Sequence, residues 1–270
     1  MRGRVLIVAG SDSGGGAGIQ ADLKAVTALG GMAMTAITAL TAQNSLGVHG
    51  VNQVPIDFIK QQFDVVFDDL GADAIKTGML HSVPVIECVA NLLKPAHRAG
   101  IPIVVDPVMR AKGGASLLMD DAQQAFADLI LPLASVLTPN IPEAEALSGQ
   151  PVGGAHDMEE IGRCLLSKGA NAVLMKGGHL DGDVLHDLLI SPAGTGEIEP
   201  GRRRVQSAHT HGTGCTLASA IACGLAQSLE LEDAVCRAVR YVDGAIRRAP
   251  GYGRGHGPID HSWTMTLTLA

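Results

Sequence analysis

The chain has 270 residues, of which 46% are hydrophobic and only 3% aromatic, so it can bury a large core of aliphatic side chains. Its formal net charge is −7 and it has no long run of lysine or arginine, which excludes a surface shaped to follow a nucleic-acid backbone or an anionic membrane. No stretch has the composition of a linker, and we therefore predict a single domain over residues 1–270.

Cysteine usage and the first residues indicate the cellular compartment. The cysteines are scattered, odd in number and without a C-x-x-C pair, which favours reduced thiols: Cys88, Cys164, Cys215, Cys223 and Cys236. The apolar run after Arg4 is too short for a signal peptide, and no apolar stretch is long enough to cross a membrane. We expect a cytoplasmic protein with neither nucleic-acid nor membrane partners.

The chain opens with a strand, a glycine-rich loop and a helix, predicted at residues 4–9, 10–18 and 19–29. Within them, Gly16-Ala17-Gly18-Ile19-Gln20-Ala21 fits the G-x-G-x-x-A pattern of dinucleotide-binding loops. That pattern requires an acidic residue about 20 positions later. No carboxylate lies between Asp22 and Asp57, so the sequence disfavours a nicotinamide-dependent oxidoreductase.

Predicted strands and helices then alternate through the middle of the chain. The patterns predict strands at 34–40, 72–76, 101–105, 134–137 and 170–175, and helices at 54–70, 82 onward, 120–130, 142–147 and 158–167. This alternation is typical of a mostly parallel sheet that is covered by helices on both faces.

The last third of the chain has a different pattern. Residues 183–205 contain short apolar segments separated by turns, which predicts antiparallel strands at the sheet edge. A helix after Cys215 and another at 231–248 complete the predicted fold. The glycine-rich residues 251–258 predict no regular structure, and they are either a mobile flap or a loose end.

Six candidate ligand-binding residues, most of them glycine or polar, follow the predicted strands. They are Gly10, Gln43, Met79, Asp106, Asn140 and Lys176. Because parallel sheets bind ligands beyond the carboxyl ends of their strands, we expect these residues to line one cleft.

A second feature beside this cleft is the stretch His-Thr-His-Gly-Thr-Gly-Cys-Thr that ends at Thr216. Gly212 and Gly214 leave the backbone free to direct N–H groups at one phosphate, next to the N-terminus of the following helix. We expect the hydroxyls of Thr213 and Thr216 to add donors, and Cys215 to ionise more easily than a free thiol. The same pattern also fits a glycine-rich helix start with a half-buried cysteine.

Three side chains in the predicted cleft favour phosphoryl transfer. Asp106 and Glu143 offer carboxylate oxygens suited to Mg²⁺, and Lys176 offers a point charge for a triphosphate. Each also has a structural interpretation: Asp106 as support for the Pro107 turn, Asn140-x-x-Glu143 as a capping box, and Lys176 as an exposed lysine. No P-loop motif is present.

Eight segments resemble, in the same order, the hydroxymethylpyrimidine/phosphomethylpyrimidine kinases of thiamine biosynthesis, which belong to the ribokinase-like superfamily. They span nearly the whole chain, at residues 9–12, 15–24, 38–44, 76–80, 106–109, 137–143, 176–179 and 211–216. The resemblance implies a three-layer α/β/α fold with a mostly parallel central sheet and antiparallel edge strands. It also implies ATP-dependent phosphorylation of 4-amino-5-hydroxymethyl-2-methylpyrimidine and then of its monophosphate, with Mg²⁺ and as a homodimer.

The resemblance also implies roles by matching position. The pyrimidine pocket would comprise Gly10, Asp22, Gln43, Met79, Val108 and Cys215; Asp106 and Glu143 would hold Mg²⁺; Asn140, Lys176 and Thr210 would bind ATP; and Gly212, Thr213 and Gly214 would form the anion hole. Sugar kinases of the superfamily carry an aspartate base where this chain has Cys215. We therefore interpret Cys215 as the base for the first phosphorylation.

Two positions depart from the family pattern. Arg110 stands where relatives commonly have a small apolar residue, and His209 where asparagine is frequent. We hypothesise that Arg110 helps to hold a phosphate of the monophosphate substrate or of ATP. The alternatives to a thiamine-pathway kinase are a pyridoxal kinase, whose substrates also carry a hydroxymethyl group, and a non-catalytic pyrimidine sensor.

Overall fold

The computed structural model describes residues 2–110, 113–119 and 121–265. The strands in this part of the chain are β1 (Arg4–Asp12), β2 (Met32–Asn44), β3 (Gly47–Gln53), β4 (Ala74–Thr77), β5 (Ile103–Val105), β6 (Val136–Leu137), β7 (Val173–Met175), β8 (Asp187–Ser191) and β9 (Gly194–Ile198). The α-helices are α1 (Gly18–Ala28), α2 (Ile56–Leu70), α3 (Val83–Arg98), α4 (Ala122–Leu129), α5 (Ile141–Ser148), α6 (Ala155–Ser167), α7 (Thr213–Ala226) and α8 (Leu231–Arg247).

The strands form one sheet in the order β3-β2-β1-β4-β5-β6-β7-β8-β9. The six central strands, from β2 to β7 in this order, are parallel to one another. The outer strands β3, β8 and β9 pair antiparallel. The predicted α/β/α fold with a mostly parallel sheet and antiparallel edges is therefore confirmed.

Two apolar clusters hold helices to the two faces of the sheet. On β1, Leu6 and Val8 contribute to one cluster, while Val5 and Ile7 contribute to the other, because successive side chains of a strand point to opposite faces. The first cluster packs α2 to α6, and the second packs α1, α7 and α8. Burial on both faces explains why the first strand is an unbroken apolar run.

The chain adds strands first on one side of β1 and then on the other. The connection from β1 through α1 leads to β2 on one side, whereas β4 and the strands that follow it lie on the other side. Such a switch point leaves a crevice at the carboxyl ends of the strands, because the flanking helices lie on opposite faces. The fold therefore places a ligand site where β1 and β4 end.

The antiparallel hairpin of β2 and β3 was not predicted. Strand β2 continues to Asn44, beyond the predicted end at residue 40, and β3 occupies residues for which the sequence pattern predicts no element. Most residues of β3 are exposed and they lack alternating apolar positions, so the strand has little periodic signal. Its pairing with β2 specifies it instead.

The glycine-rich C-terminal residues are irregular, as predicted, but they are not a loose end. The N–H of His256 donates to the Ser45 carbonyl oxygen (2.8 Å), and the N–H of His211 donates to that of Gly257 (3.1 Å). Further on, the Trp263 ring stacks on Tyr241 with ring centroids 6.1 Å apart. The segment is thus held against both the β2–β3 hairpin and the second helical layer.

Among the described residues, no helix is both long enough and apolar enough to span a bilayer.

Close packing of Trp263 on α8 predicts the effect of one substitution. A Cβ atom at Gly244 would overlap the Trp263 ring, so we expect Gly244→Ala to displace this ring and to lower the free energy of unfolding by about 1 to 3 kcal/mol. Trp263 is the one tryptophan of the chain, so its fluorescence emission reports the displacement as a red shift.

Gly196→Ala is the control, because a Cβ atom there has no neighbour within 4 Å. Unchanged emission and thermal stability in Gly244→Ala would contradict the packing described for Trp263.

Candidate active site

A cavity of about 740 Å³ lies at the carboxyl ends of the central strands. Thirteen of the fourteen predicted site residues line it: Gly10, Gln43, Met79, Asp106, Val108, Asn140, Glu143, Lys176, Thr210, Gly212, Thr213, Gly214 and Cys215. The cleft expected from the strand ends is therefore present, and the turn before α7 forms part of its wall.

The N-terminus of α7 presents free backbone N–H groups to this cavity. Gly212 precedes the helix with a φ of +82°, and a Cβ atom there would overlap the Gly16 carbonyl oxygen, so only glycine fits. The first N–H groups of a helix have no partner within it and lie at the positive end of its dipole. A Cβ atom built on Gly214 would be 3.6 Å from Lys176 Nζ. An anion bound here would therefore meet both the helix and a lysine.

The two threonine hydroxyls of this turn are already engaged. Thr213 Oγ1 donates to the Thr210 carbonyl oxygen at 3.1 Å. Thr216 is fully buried, and its Oγ1 lies 2.9 Å from His261 Nε2. Burial lowers the pKa of His261 to about 4, so this ring is neutral. The expectation that Thr216 adds a donor to the phosphate site is wrong, because its hydroxyl points away from the cavity.

At the other side of the anion site, two carboxylates converge on Lys176. Its Nζ lies 3.4 Å from Asp106 Oδ1 and 3.9 Å from Glu143 Oε2. The capping box also forms: Asn140 Oδ1 accepts from the Glu143 N–H (3.0 Å), and Glu143 Oε2 accepts from the Asn140 N–H (2.8 Å). The structural and the functional interpretation of Asn140 and Glu143 are therefore compatible, because the cap fixes the carboxylate at the cavity wall.

The carboxylates of this group repel one another. Burial raises the pKa of Glu143 to about 7, Asp106 adds to the rise and Lys176 opposes it. The described residues contain no group of three or more His, Cys, Asp or Glu side chains arranged to hold a metal. A pair of carboxylates suits Mg²⁺, which keeps most of its waters and takes further oxygens from phosphates.

The opposite end of the cavity is mostly apolar. Ala39, Met79 and Leu117 form a small cluster there, with Val108 packed against it. Gln43, at the end of β2, adds an amide that can both donate and accept hydrogen bonds. This end has the character needed for a small neutral ring with polar edges.

A hydrogen-bonded pair that the sequence did not reveal joins the two loops of the cavity. His211 Nε2 lies 2.8 Å from Asp12 Oδ2 and 3.3 Å from Gln43 Nε2. The same Asp12 carboxylate accepts from the N–H groups of Gly14 (2.8 Å) and Ala17 (2.8 Å). Asp12 thereby fixes the glycine-rich loop against the turn before α7.

Two expectations about charged or ionising groups need correction. Asp22, predicted in the pyrimidine pocket, is completely buried and lies beneath the cavity instead of lining it. Cys215 does line the cavity, but burial raises the pKa of its thiol to about 12, the opposite of the expected direction. The loss of water outweighs the favourable charge of Lys76 and the hydrogen bond from the Gly18 backbone.

The densest basic cluster of the sequence, Arg202-Arg203-Arg204, contributes two arginines to the cavity. Arg202 makes ion pairs with Asp187 and with Asp243 (Nη1 to Oδ1, 2.7 Å). Arg204 donates to three backbone carbonyl oxygens after β7, and both arginines line the cavity. The partners are distant in sequence, so the local pattern contained no signal for them.

Comparisons with known proteins agree with this geometry. The family model described as phosphomethylpyrimidine kinase matches residues 12–260. The chain is 47% identical over 261 residues to a hydroxymethylpyrimidine/phosphomethylpyrimidine kinase of Streptomyces coelicolor, covering 97% of this chain and 95% of that protein. It is 51% identical over 261 residues to a thiamine biosynthesis bifunctional protein of Geobacter sulfurreducens, covering 96% of this chain but 52% of that protein.

A solved structure is similar over nearly the same length. The ADP complex of Bacillus subtilis pyridoxal kinase superposes with a TM-score of 0.88 at 34% sequence identity, covering 97% of this chain and 98% of that chain.

The raised pKa of Glu143 predicts a pH-dependent contribution to stability. Between its ordinary value of 4.5 and about 7, the folded chain binds more protons at this carboxyl than the unfolded chain does. The resulting stabilisation is complete at low pH and is lost as the pH rises through about 7. We expect Glu143→Gln to remove this loss, so that the variant gains ~1 to 3 kcal/mol relative to the wild type between pH 5 and 8.

Urea unfolding of the ligand-free protein at both pH values measures this difference. Glu145→Gln, on the same helix, controls for the loss of a carboxylate. An equal difference between Glu143→Gln and wild type at pH 5 and pH 8 would exclude the proposed titration.

Proposed function

This chain belongs to the phosphomethylpyrimidine kinase family, and from that premise we propose how its cavity performs two successive phosphoryl transfers. It is a phosphotransferase with a ribokinase-like fold. Its reactions in thiamine biosynthesis are the ATP-dependent phosphorylation of 4-amino-5-hydroxymethyl-2-methylpyrimidine and that of the resulting monophosphate. One observation carries the proposed arrangement: the N-terminus of α7 separates a small apolar pocket from a group of carboxylates and a lysine.

We assign the apolar end of the cavity to the aminopyrimidine. Met79 and Val108 belong to one apolar cluster, and they can contact the ring through aliphatic side chains without aromatic stacking. The Gln43 amide matches the donor and acceptor edge of an aminopyrimidine. Gly10 belongs to the same wall, whereas buried Asp22 supports it from below.

We assign the carboxylate end to ATP and Mg²⁺. Lys176, Asn140 and Thr210 line the wall where the triphosphate would lie, and Asp106 and Glu143 provide the oxygens for Mg²⁺. Bound there, the metal would neutralise charge on the phosphate oxygens. Lys176 lies within ion-pair distance of both carboxylates, so it also keeps them together before nucleotide binds.

The N–H groups at Gly212, Thr213 and Gly214 then lie where negative charge develops on the transferred phosphoryl group. In the first reaction the nucleophile is an alcohol, whose proton must leave as the new bond forms. Cys215, in the first turn of α7, is the group we assign to receive it; because burial raises the pKa of this thiol to about 12, only its small thiolate fraction does so at neutral pH. In the second reaction the nucleophile is a phosphate oxygen, which is already largely anionic at neutral pH.

Pyridoxal phosphorylation is the second candidate. The structural similarity to a pyridoxal kinase, with a TM-score of 0.88, favours it. The sequence identity to that pyridoxal kinase is 34%, which is lower than the 47% identity to the hydroxymethylpyrimidine/phosphomethylpyrimidine kinase of Streptomyces coelicolor. Both substrates carry a hydroxymethyl group on a six-membered nitrogen ring, so the shape of the apolar pocket decides between them.

Mass spectrometry of the products tests the assignment. Incubation with ATP, Mg²⁺ and the aminopyrimidine is expected to give the monophosphate and then the pyrophosphate. Faster phosphate transfer to pyridoxal than to the aminopyrimidine would favour the second candidate. Binding of the aminopyrimidine without ATP consumption would instead indicate a sensor.

We also propose that the protein works as a cytoplasmic homodimer. All five cysteines are unpaired, which suits a reducing compartment. Strand β3 leaves one edge of the sheet unpaired, and Leu40, Leu46 and Val51 in this hairpin region are exposed, which suits contact with a second copy. Light scattering tests the assembly, with an expected mass twice that of the 27.8 kDa chain.

The two nucleophiles predict different effects of removing the thiol. Cys215→Ala is expected to lower kcat/KM for the first phosphorylation by about 10² or more, because general base catalysis contributes that much, and to affect the second phosphorylation less. Steady-state kinetics with each substrate measures the two effects. Cys223→Ala is the control, since it removes a buried thiol of the same helix outside the cavity. Equal losses in both steps would mean that Cys215 only positions the substrate.

Arg110 predicts a selective effect on the phosphorylated substrate. Its side chain is exposed, lines the cavity beyond Val108, and has no hydrogen bond or ion pair to other described residues. We expect Arg110→Ala to raise KM about tenfold for the monophosphate, the size of one lost charge-assisted contact, and less for the unphosphorylated pyrimidine. Arg110→Lys retains the charge as a control. Unchanged KM values for the monophosphate and for ATP would exclude this role.

A further inference from the structure

A buried ion pair lies beneath the cavity, and the reaction described above does not use it. Lys76 Nζ is 2.9 and 3.0 Å from the two carboxylate oxygens of Asp22, and Ser219 Oγ donates to Asp22 Oδ1 at 2.7 Å. None of these three side chains has accessible surface. They come from three elements, α1, β4 and α7, so the pair lies where these elements meet.

Fold stability does not explain this pair. Removing two charges from water costs several kcal/mol for each ion, and apolar replacements of buried pairs are often neutral or stabilising. The two residues of β4 before Lys76 are apolar, and both neighbouring strands, β1 and β5, supply apolar side chains to the core. The lysine is therefore a costly residue at this position, which points to a role in the adjacent cavity.

The pair is hydrogen-bonded to the helix that carries Cys215. Ser219 is one helical turn after Cys215, so the two side chains share one face of α7, and Ser219 contacts Asp22 directly. Lys76 also contributes to the cavity wall, whereas Asp22 does not. Lys76 and Cys215 therefore both contribute to the wall of one cavity, while Asp22 holds the ammonium group from the buried side.

The charges around the thiol have opposite signs. Lys76 from β4 favours the thiolate and lowers the pKa of Cys215, as does Lys176 after β7. Asp22 from α1 and Asp106 after β5 disfavour the thiolate and raise this pKa. Among the cations, Lys76 has the largest effect on the thiol.

We propose that Lys76 is a positioning residue for the first phosphoryl transfer: its ammonium group, held by Asp22, stabilises the negative charge of the Cys215 sulfur. The proposal rests on the function assigned to Cys215 above. In the transfer, the acceptor oxygen bonds to the γ-phosphorus, and the bond from that phosphorus to the bridging oxygen breaks, leaving its electron pair on ADP. The hydroxyl proton moves to the Cys215 thiolate, which becomes a thiol. Lys76 increases the fraction of thiolate that is present beforehand, against the larger opposing effect of burial.

Alkylation of Cys215 tests the charge assignment without measuring activity. The folded chain is treated with iodoacetamide at pH 8.5, and the Cys215 peptide is followed by mass spectrometry. Below the pKa of a thiol, each unit of pKa shift changes the thiolate fraction about tenfold. We expect Asp22→Asn to react roughly three- to tenfold faster than wild type, and Lys76→Met slower by a similar factor.

Opposite shifts distinguish an electrostatic role from a structural one. Cys223, buried two turns later on α7, is the internal control in the same digest, because loosening of the helix would expose it. Equal rates in all variants, or faster reaction of both cysteines in both variants, would overturn the proposal. If Lys76→Met does not fold, the alkylation rate of the double variant Asp22→Asn/Lys76→Met is compared with that of the single variant Asp22→Asn. Slower alkylation in the double variant supports the role of Lys76, and an unchanged rate overturns it.

Kinetics separates this proposal from the proposed function. The pH profile of the first phosphorylation is expected to shift to higher pH in the double variant relative to Asp22→Asn, with recovery of rate at alkaline pH. The second phosphorylation is expected to keep its profile. If the wild type transfers no phosphate to the aminopyrimidine while the alkylation rates shift as expected, the proposed function fails and the charge assignment stands.

Discussion

The site depends on one steric constraint, the left-handed turn at Gly212 packed against the backbone of Gly16. This contact brings the start of α7 to the crevice where β1 and β4 end. Because α7 is buried along most of its length, the packing around it holds the helix axis in place. The direction of its free N–H groups is therefore fixed before any ligand binds, which is the preorganisation that charge stabilisation requires.

Around this fixed point the structure separates two kinds of surface. Toward the β2–β3 hairpin the cavity is apolar and small, whereas toward β6 and β7 it contains charges held by ion pairs and a helix cap. In the proposed arrangement, acceptor and donor sites with such different character do not compete for the same ligand. Their common boundary is the helix N-terminus, so the proposed arrangement brings both substrates to where the fold supplies positive potential.

The sequence predicted the layers of the fold and most of the cavity wall, because apolar periodicity and the ends of parallel strands are local signals. Polar residues such as Asp106 and Lys176 were found since each follows a buried strand. What the sequence did not predict depends on distant partners: β3 on its pairing with β2, and Arg202 on Asp187 and Asp243. Cys215 was placed correctly, but its ionisation was not, because desolvation depends on the whole surrounding packing.

The hydrogen bond between Asp12 and His211 joins residues that are 199 positions apart, and the contact of Gly255 with Ser45 spans 210. The pocket is therefore closed by pairings of high contact order, and forming them costs the chain the entropy of long loops. On the ribosome, a nascent chain that has completed the first six strands still lacks this closure. The anion site at the start of α7 is therefore complete only once the last third of the chain has packed onto the loop after β1.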